Sequence, residues 1–190
     1  IITIIGARPQ IIKSSAINRA IKTKYSDKLT EIIVHTGQHY DENMSNVFFD
    51  EMGIPYPNYN LAVGSGSHGQ MTAKMIAGLE EIFLKEKPNA VLIYGDTNST
   101  IAGALAAAKI HIPVIHVEAG LRSFNKSMPE EINRILTDSV CDHFFTTSQH
   151  ASDNLKSIGI PPYKIHFVGN TMIDTLLQNI DRVKSPMDVG

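Results

Sequence analysis

Residues 90–100 read A-V-L-I-Y-G-D-T-N-S-T, and this stretch decides the fold. Ala90 to Tyr94 is an unbroken apolar run, the pattern of a strand buried on both faces. Gly95 allows a sharp turn with close backbone approach, and Thr97 or Asn98 supplies the polar side chain that caps a helix starting there. Strand, glycine turn and capped helix in direct succession form the first half of a βαβ unit.

Working outward, the same unit recurs. Ile1 to Ile5, Glu31 to His35, Val114 to Val117, His143 to Thr146 and Ile165 to Val168 join Ala90 to Tyr94 as predicted strands. Helical patterns lie near residues 10–25, 41–52, 69–86, 98–109, 129–141, 149–158 and 171–183. This alternation predicts an α/β fold, a parallel sheet with helices on both faces, doubly wound through right-handed crossovers and Rossmann-like. The 190 residues suffice for one core but not for two full domains. No linker or repeat divides them, so a single domain over 1–190 is expected. The chain begins at Ile1 without Met and stops at M-D-V-G with no compositional tail, and a fragment is expected.

Composition narrows the function. With 19 acidic residues against 17 basic plus 8 His, the formal net charge is -2 and no basic block offers a footing for nucleic acid. No run approaches the ~20 apolar residues of a membrane helix, and I-I-T-I-I is too short for a secretory signal. Cys141, the single cysteine, is expected inside a helix, has no intramolecular disulfide partner, and suggests a reducing cytoplasm. Scattered histidines without H-E-x-x-H, and no cysteine pair, argue for neither a metal nor another cofactor.

Chemistry concentrates at the C-terminal ends of the predicted strands, where open parallel sheets bind ligands. In G-A-R-P-Q-I-I-K, Arg8 and Lys13 place cations near a helix N-terminus, an unfavourable position that an anionic ligand would offset. Solvated surface charge is the alternative. Asp96 follows Gly95; it is either a helix cap or, since Thr97 and Asn98 serve that purpose, free to face a ligand. Glu118 in H-V-E-A-G-L-R-S ends the next strand, as a proton-shuttling group or as the ion-pair partner of Arg122. M-P-E-E-I-N-R opens a helix with Glu130 and Glu131, one of which is expected to serve the helix dipole alone. Gln38 and His39 in T-G-Q-H-Y-D share that edge as ligand contacts, with a plain loop residue the alternative for His39, whereas His116, inside a strand, reads as a satisfied core group. G64-S-G-S-H-G69 matches the dinucleotide pattern, but only a weak strand, N-Y-N-L-A-V, precedes it and no acid ends a strand about 20 residues on. It reads as a loop able to close over a ligand.

The ordered set G-A-R-P-Q, H-T-G-Q-H, Y-G-D-T-N-S-T, H-V-E-A-G-L-R, M-P-E-E-I-N-R and V-G-N-T-M-I-D resembles the non-hydrolysing UDP-N-acetylglucosamine 2-epimerases across nearly the whole chain. The resemblance implies the N-terminal half of a GT-B-type enzyme, with a C-terminal UDP-binding domain absent from this chain. It also implies a full-length homodimer and a UDP-sugar substrate, and needs no cofactor. The implied reaction inverts C2 by elimination and re-addition: a base takes the C2 proton as UDP leaves C1, and an acid reprotonates the other face of a glycal-like intermediate. Asp96, Glu118 and Glu130 fall at the catalytic acids, and Arg8 and Lys13 at the substrate-contacting cations; which acid is the base stays open. A catalytic histidine and most UDP contacts come from the other domain. Ala7 and Gln10, where G-T-R-P-E is commoner, and R-S-F-N-K-S-M-P-E-E-I-N-R resemble the subgroup acting on UDP-2,3-diacetamido-2,3-dideoxyglucuronate. A GT-B glycosyltransferase is the alternative enzyme class.

Overall fold

The protein is described by a computed structural model over residues 1–37, 49 and 53–180. Its elements run β1 (Ile2–Ile5), α1 (Arg8–Lys24), β2 (Ile32–His35), β3 (Tyr59–Asn60), α2 (His68–Glu86), β4 (Val91–Tyr94), α3 (Asn98–Lys109), β5 (Val114–Val117), α4 (Pro129–Val140), β6 (His143–Thr146), α5 (Gln149–Ser157), β7 (Ile165–Phe167) and α6 (Thr171–Asn179). All the strands pair in parallel, in the order β3-β2-β1-β4-β5-β6-β7. The chain winds outward from β1 to β3, then returns to β4 and winds the other way. The reversal makes the crevice above β1 and β4 the topological switch point, where the turns after both strands face each other.

The central strands are largely apolar because both faces are covered. Ile2, Ile4, Val34, Val91, Ile93, Val114 and Phe144 pack on one side with Met75, Leu79 and Phe83 of α2, the alanines of α3 and Leu155 of α5. Ile5, Ile33, Leu92, Tyr94 and Val117 face the other side with Ile11 of α1, Phe49 and Ile54. Small side chains bring α3 close to the sheet: a Cβ on Gly103 would lie 3.1 Å from Ile93 Cγ2.

The doubly wound α/β expectation is met, with differences in detail. The weak strand expected around Tyr59 pairs with Val34 and His35 as the edge strand β3. Helix α1 starts at Arg8, earlier than its apolar periodicity implies, because Gln10 caps it from within: Oε1 accepts from Gly6 N (2.9 Å) and Ala7 N (3.1 Å). The helix expected at 41–52 falls outside the described residues apart from buried Phe49. Cys141 lies just past α4 in extended backbone (φ -83°, ψ 155°), not within the helix. Burial pushes its thiol well above the usual range, with Asp138 and Asp142 adding to the effect. Among the described residues, no helix is long and apolar enough to cross a membrane.

Candidate active site

The turn after β1 and the turn after β4 are tied together at the switch point. Gln10, buried on the first turn of α1, donates from Nε2 to Tyr94 O (2.8 Å) and Thr100 Oγ1 (3.1 Å) while its Oε1 accepts from Gly6 and Ala7. All four hydrogen-bonding positions of this amide are therefore filled. Thr97 caps α3 by accepting from Thr100 N, as the sequence allows. Asp96 does not cap.

Neither does Asp96 stand unpartnered. Arg134 Nη2 of α4 lies 2.5 Å from Asp96 Oδ2, and Asn133 Nδ2 donates to Asp96 O (2.9 Å). Arg134 Nη1 reaches Glu131 Oε2 at 3.0 Å. Glu131, 1% exposed, accepts from Ser123 N (2.9 Å), Ser123 Oγ (3.0 Å) and Phe124 N (3.1 Å). Burial alone would raise its carboxyl, but these hydrogen bonds and the Arg134 guanidinium hold it below the usual carboxylate range. Of the adjacent pair, Glu131 is thus a bracket for the loop after β5. Glu130 is exposed on the first turn of α4 and carries no ion pair among the described residues. It sits three and four positions before Asn133 and Arg134, on the helix face that reaches Asp96.

Glu118 pairs with Lys13 of α1, not with Arg122. Side chains of this pair are 11% (Lys13) and 20% (Glu118) exposed, so Lys13 is not a solvated surface charge, and a protein carboxylate already offsets its position near the helix N-terminus. The pair passes over Gly95: a Cβ there would lie 3.2 Å from Lys13 Nζ and 3.9 Å from Glu118 Oε2. Gly95 has φ +64°, so both its backbone and this close approach call for glycine. Glu118 itself has φ +71°, a conformation costing a non-glycine residue about 1–2 kcal/mol. Arg8 is exposed at the first position of α1. Asp96 and Glu118 thus flank one glycine at the switch point, and the first turn of α4 carries Glu130 beside them. Gln38 and His39 lie outside the described residues.

Several residues that shape this rim escaped the sequence reading as site groups: Arg134, Asn133, Asp138 and His68. The Asn98 amide hydrogen-bonds His68 Nδ1 at the start of α2, with Nδ2 at 3.2 Å. Glu131 and Asp138 recur at the spacing of one buried helix face, and an acidic stripe at such spacing signals buried partners. His116 is the satisfied core group expected, with Nε2 2.8 Å from Gly95 O and Nδ1 2.8 Å from Asp138 Oδ1. The glycine pattern at 64–69 lacks a dinucleotide role: its last glycine, required there for tight helix–strand packing, would meet nothing within 4 Å as alanine.

The family described as UDP-N-acetylglucosamine 2-epimerase matches residues 21–189. The UDP-2,3-diacetamido-2,3-dideoxy-D-glucuronate 2-epimerase of Pseudomonas aeruginosa is 56% identical over 192 residues, covering 100% of this chain and 54% of that protein. The UDP-N-acetylglucosamine 2-epimerase of Methanocaldococcus jannaschii is 51% identical over 177 residues, covering 93% of this chain and 48% of its own length. A crystal structure of the M. jannaschii enzyme in complex with UDP-GlcNAc and UDP superposes with a TM-score of 0.93 over 99% of this chain and 51% of that one, at 48% identity. A lipopolysaccharide outer core galactosyltransferase, 16% identical with a TM-score of 0.61, shares the fold alone. The chain spans about half the length of the curated relatives it matches. On this family match and these identities, the chain belongs to the UDP-N-acetylglucosamine 2-epimerase family.

Proposed function

We propose that this chain is the acid-bearing half of a cytoplasmic UDP-sugar 2-epimerase that inverts C2 of a UDP-2-acetamido sugar by elimination and re-addition of UDP. The observation that carries the proposal is the pair of carboxylates, Asp96 and Glu118, flanking Gly95 at the switch point with Lys13 and Arg134 against them. An unactivated C2 proton needs a positioned base, the return step needs an acid on the opposite ring face, and the oxocarbenium-like charge needs a carboxylate nearby. Asp96, Glu118 and Glu130 supply these groups, and Arg8, Lys13, Gln38 and His39 contact the substrate. A second domain supplies the UDP anchor, so this half alone is catalytically silent.

In the full-length protein, incubation with UDP-N-acetylglucosamine in deuterated water is expected to put deuterium at C2 of both epimers. Asp96→Asn, Glu118→Gln and Glu130→Gln each lower that exchange by about 10²–10⁴-fold. Less than a tenfold loss in all of them refutes the assignment. Transfer of sugar to an added acceptor without an epimer points to a glycosyltransferase instead. Identity of 56% to an enzyme named for the diacetamido-glucuronate favours that sugar as the substrate. Side-by-side turnover of the two UDP-sugars decides between them. We also propose a homodimer for the full-length protein, supported by an exposed apolar stripe along α4: Met128, Ile132 and Leu136, with Phe124 beside it.

A further inference from the structure

We propose that His116 and Asp138 are positioning residues that hold the Asp96 turn and the Glu118 turn at one fixed spacing. This deepens the epimerase reading and rests on it for the turnover measurement only.

The two acids sit on separate turns, and one buried unit fastens both. His116 on β5 is 0% exposed, and its two ring nitrogens face Gly95 O and the Asp138 carboxylate, both at 2.8 Å. Gly95 O can only accept, so Nε2 donates to it, and Nδ1 pairs with the Asp138 carboxyl. The second Asp138 oxygen accepts from Gly120 N (3.2 Å) and Arg122 Nη1 (2.6 Å), and Arg122 also donates to Leu121 O (2.7 Å). Gly95 immediately precedes Asp96, and Glu118 lies midway between His116 and Gly120. The frame therefore grips the first turn at one point and the second turn on both sides of its acid.

The backbone it grips does not hold itself. Gly95, Glu118 and Gly120 have φ of +64°, +71° and +80°, and a non-glycine residue in that region persists only where its surroundings over-determine it. His116 and Asp138 are both fully buried, so neither touches substrate. Burial would raise the Asp138 carboxyl, but His116 and Arg122 hold it below the usual range, which keeps it an acceptor for all its donors. Displacing a reacting group by about 1 Å costs on the order of 10²-fold in rate. A frame fixing two such groups thus acts on turnover more than on binding.

The test uses the full-length protein. His116→Asn retains a donor toward Asp138 but falls short of Gly95 O; His116→Gln restores a donor toward Gly95 O while giving up the contact with Asp138, which Gly120 N and Arg122 still hold. His116→Asn is expected to lower kcat for C2 exchange about 30-fold or more with KM within about threefold, and His116→Gln to recover most of the loss. Amide hydrogen exchange at 95–97 and 118–120 rises in His116→Asn and returns toward wild type in His116→Gln. The proposal is overturned if the two variants lose kcat equally, if exchange in the two turns does not change, or if only the melting temperature falls. Nitrogen-15 shifts of the wild-type His116 ring need no variant: a protonated Nε2 supports the frame, and an unprotonated Nε2 overturns it. If wild-type protein exchanges no UDP-sugar, the epimerase reading fails, while the amide exchange and ring shifts still decide the positioning claim.

Discussion

Gly6→Ala and Gly69→Ala, one methyl each at two glycines, are expected to have opposite effects. An ideal Cβ on Gly6 falls 2.1 Å from both Ser99 Oγ and Thr36 Oγ1, and 3.0 Å from Ser99 Cβ. It lands in the middle of the buried hydroxyl–hydroxyl hydrogen bond that joins the end of β2 to α3, 2.8 Å long. Neither hydroxyl is the end of a long flexible side chain, so the overlap is relieved only by new rotamers or a backbone shift. Overpacking of this kind costs about 1–3 kcal/mol, and leaving a buried hydroxyl unpaired costs about 1–3 more. The combined loss is about 2–6 kcal/mol, a large share of the 5–15 kcal/mol that stabilises a typical domain. With an m-value near 2 kcal/mol/M in urea, the midpoint should fall by roughly 2 M. Gly69 lies in the first turn of α2, and a Cβ there meets nothing within 4 Å. Alanine at that helical position should be neutral or stabilising by up to about 1 kcal/mol. Urea titrations of wild type and the two variants, followed by circular dichroism and tyrosine fluorescence together, give both numbers. A Gly6→Ala midpoint within about 0.5 M of wild type would refute the packing argument. A Gly69→Ala loss beyond about 1 kcal/mol would revive a tight helix–strand contact at the glycine-rich loop.

Burial lowers the folded pKa of His35 to about 4, so between pH 6.5 and 4 the unfolded chain binds a proton that the folded chain refuses, and stability should fall by about 3 kcal/mol across that window. Asp138 and Glu131, held below the usual carboxylate range, contribute stability that is present above pH ~4 and lost as pH falls through their folded values. Urea midpoints from pH 7 to 3 measure both limbs, and His35→Gln should flatten the upper one while leaving the lower. Gln10→Glu keeps the two acceptors for Gly6 and Ala7 but turns a carboxylate toward Tyr94 O in place of a donor, for a loss of about 1–3 kcal/mol at pH 7 that shrinks in acid as the group protonates and donates. Lys13→Met should cost about 1–3 kcal/mol, read from thermal unfolding, by leaving Glu118 half-desolvated without its cation.

The contrast between strands and partners explains which parts of this molecule its sequence discloses. Val91 to Tyr94 is legible because a strand covered on both faces must be apolar at every position, and the turn after it is legible because only glycine accepts φ +64° without strain. From there the parallel order places every turn after a strand on one edge, so Asp96 and Glu118 are recognisable as rim residues before any coordinate is known. Their ion-pair partners are not. Local spacing offered Arg122 to Glu118, yet Lys13, from the opposite end of the chain, takes it, and Arg122 turns inward to Asp138. Likewise, Asp96 looked free because Thr97 performs the capping, while the residue that claims it, Arg134, lies three elements later on α4. Such pairings depend on how α1 and α4 settle against the sheet, and that is set by buried polar side chains, Gln10 on α1 and Glu131 and Asp138 on α4, which hydrophobic periodicity counts as interruptions. A helix whose buried face carries acids two turns apart has already committed cations or backbone amides to meet them, since an unpaired buried carboxylate is not sustained. On α4 those partners are Arg134, Arg122, His116 and the amides of Ser123, Phe124 and Gly120, which together enclose the turn that carries Glu118. The interruptions in the apolar pattern are therefore where the site is built.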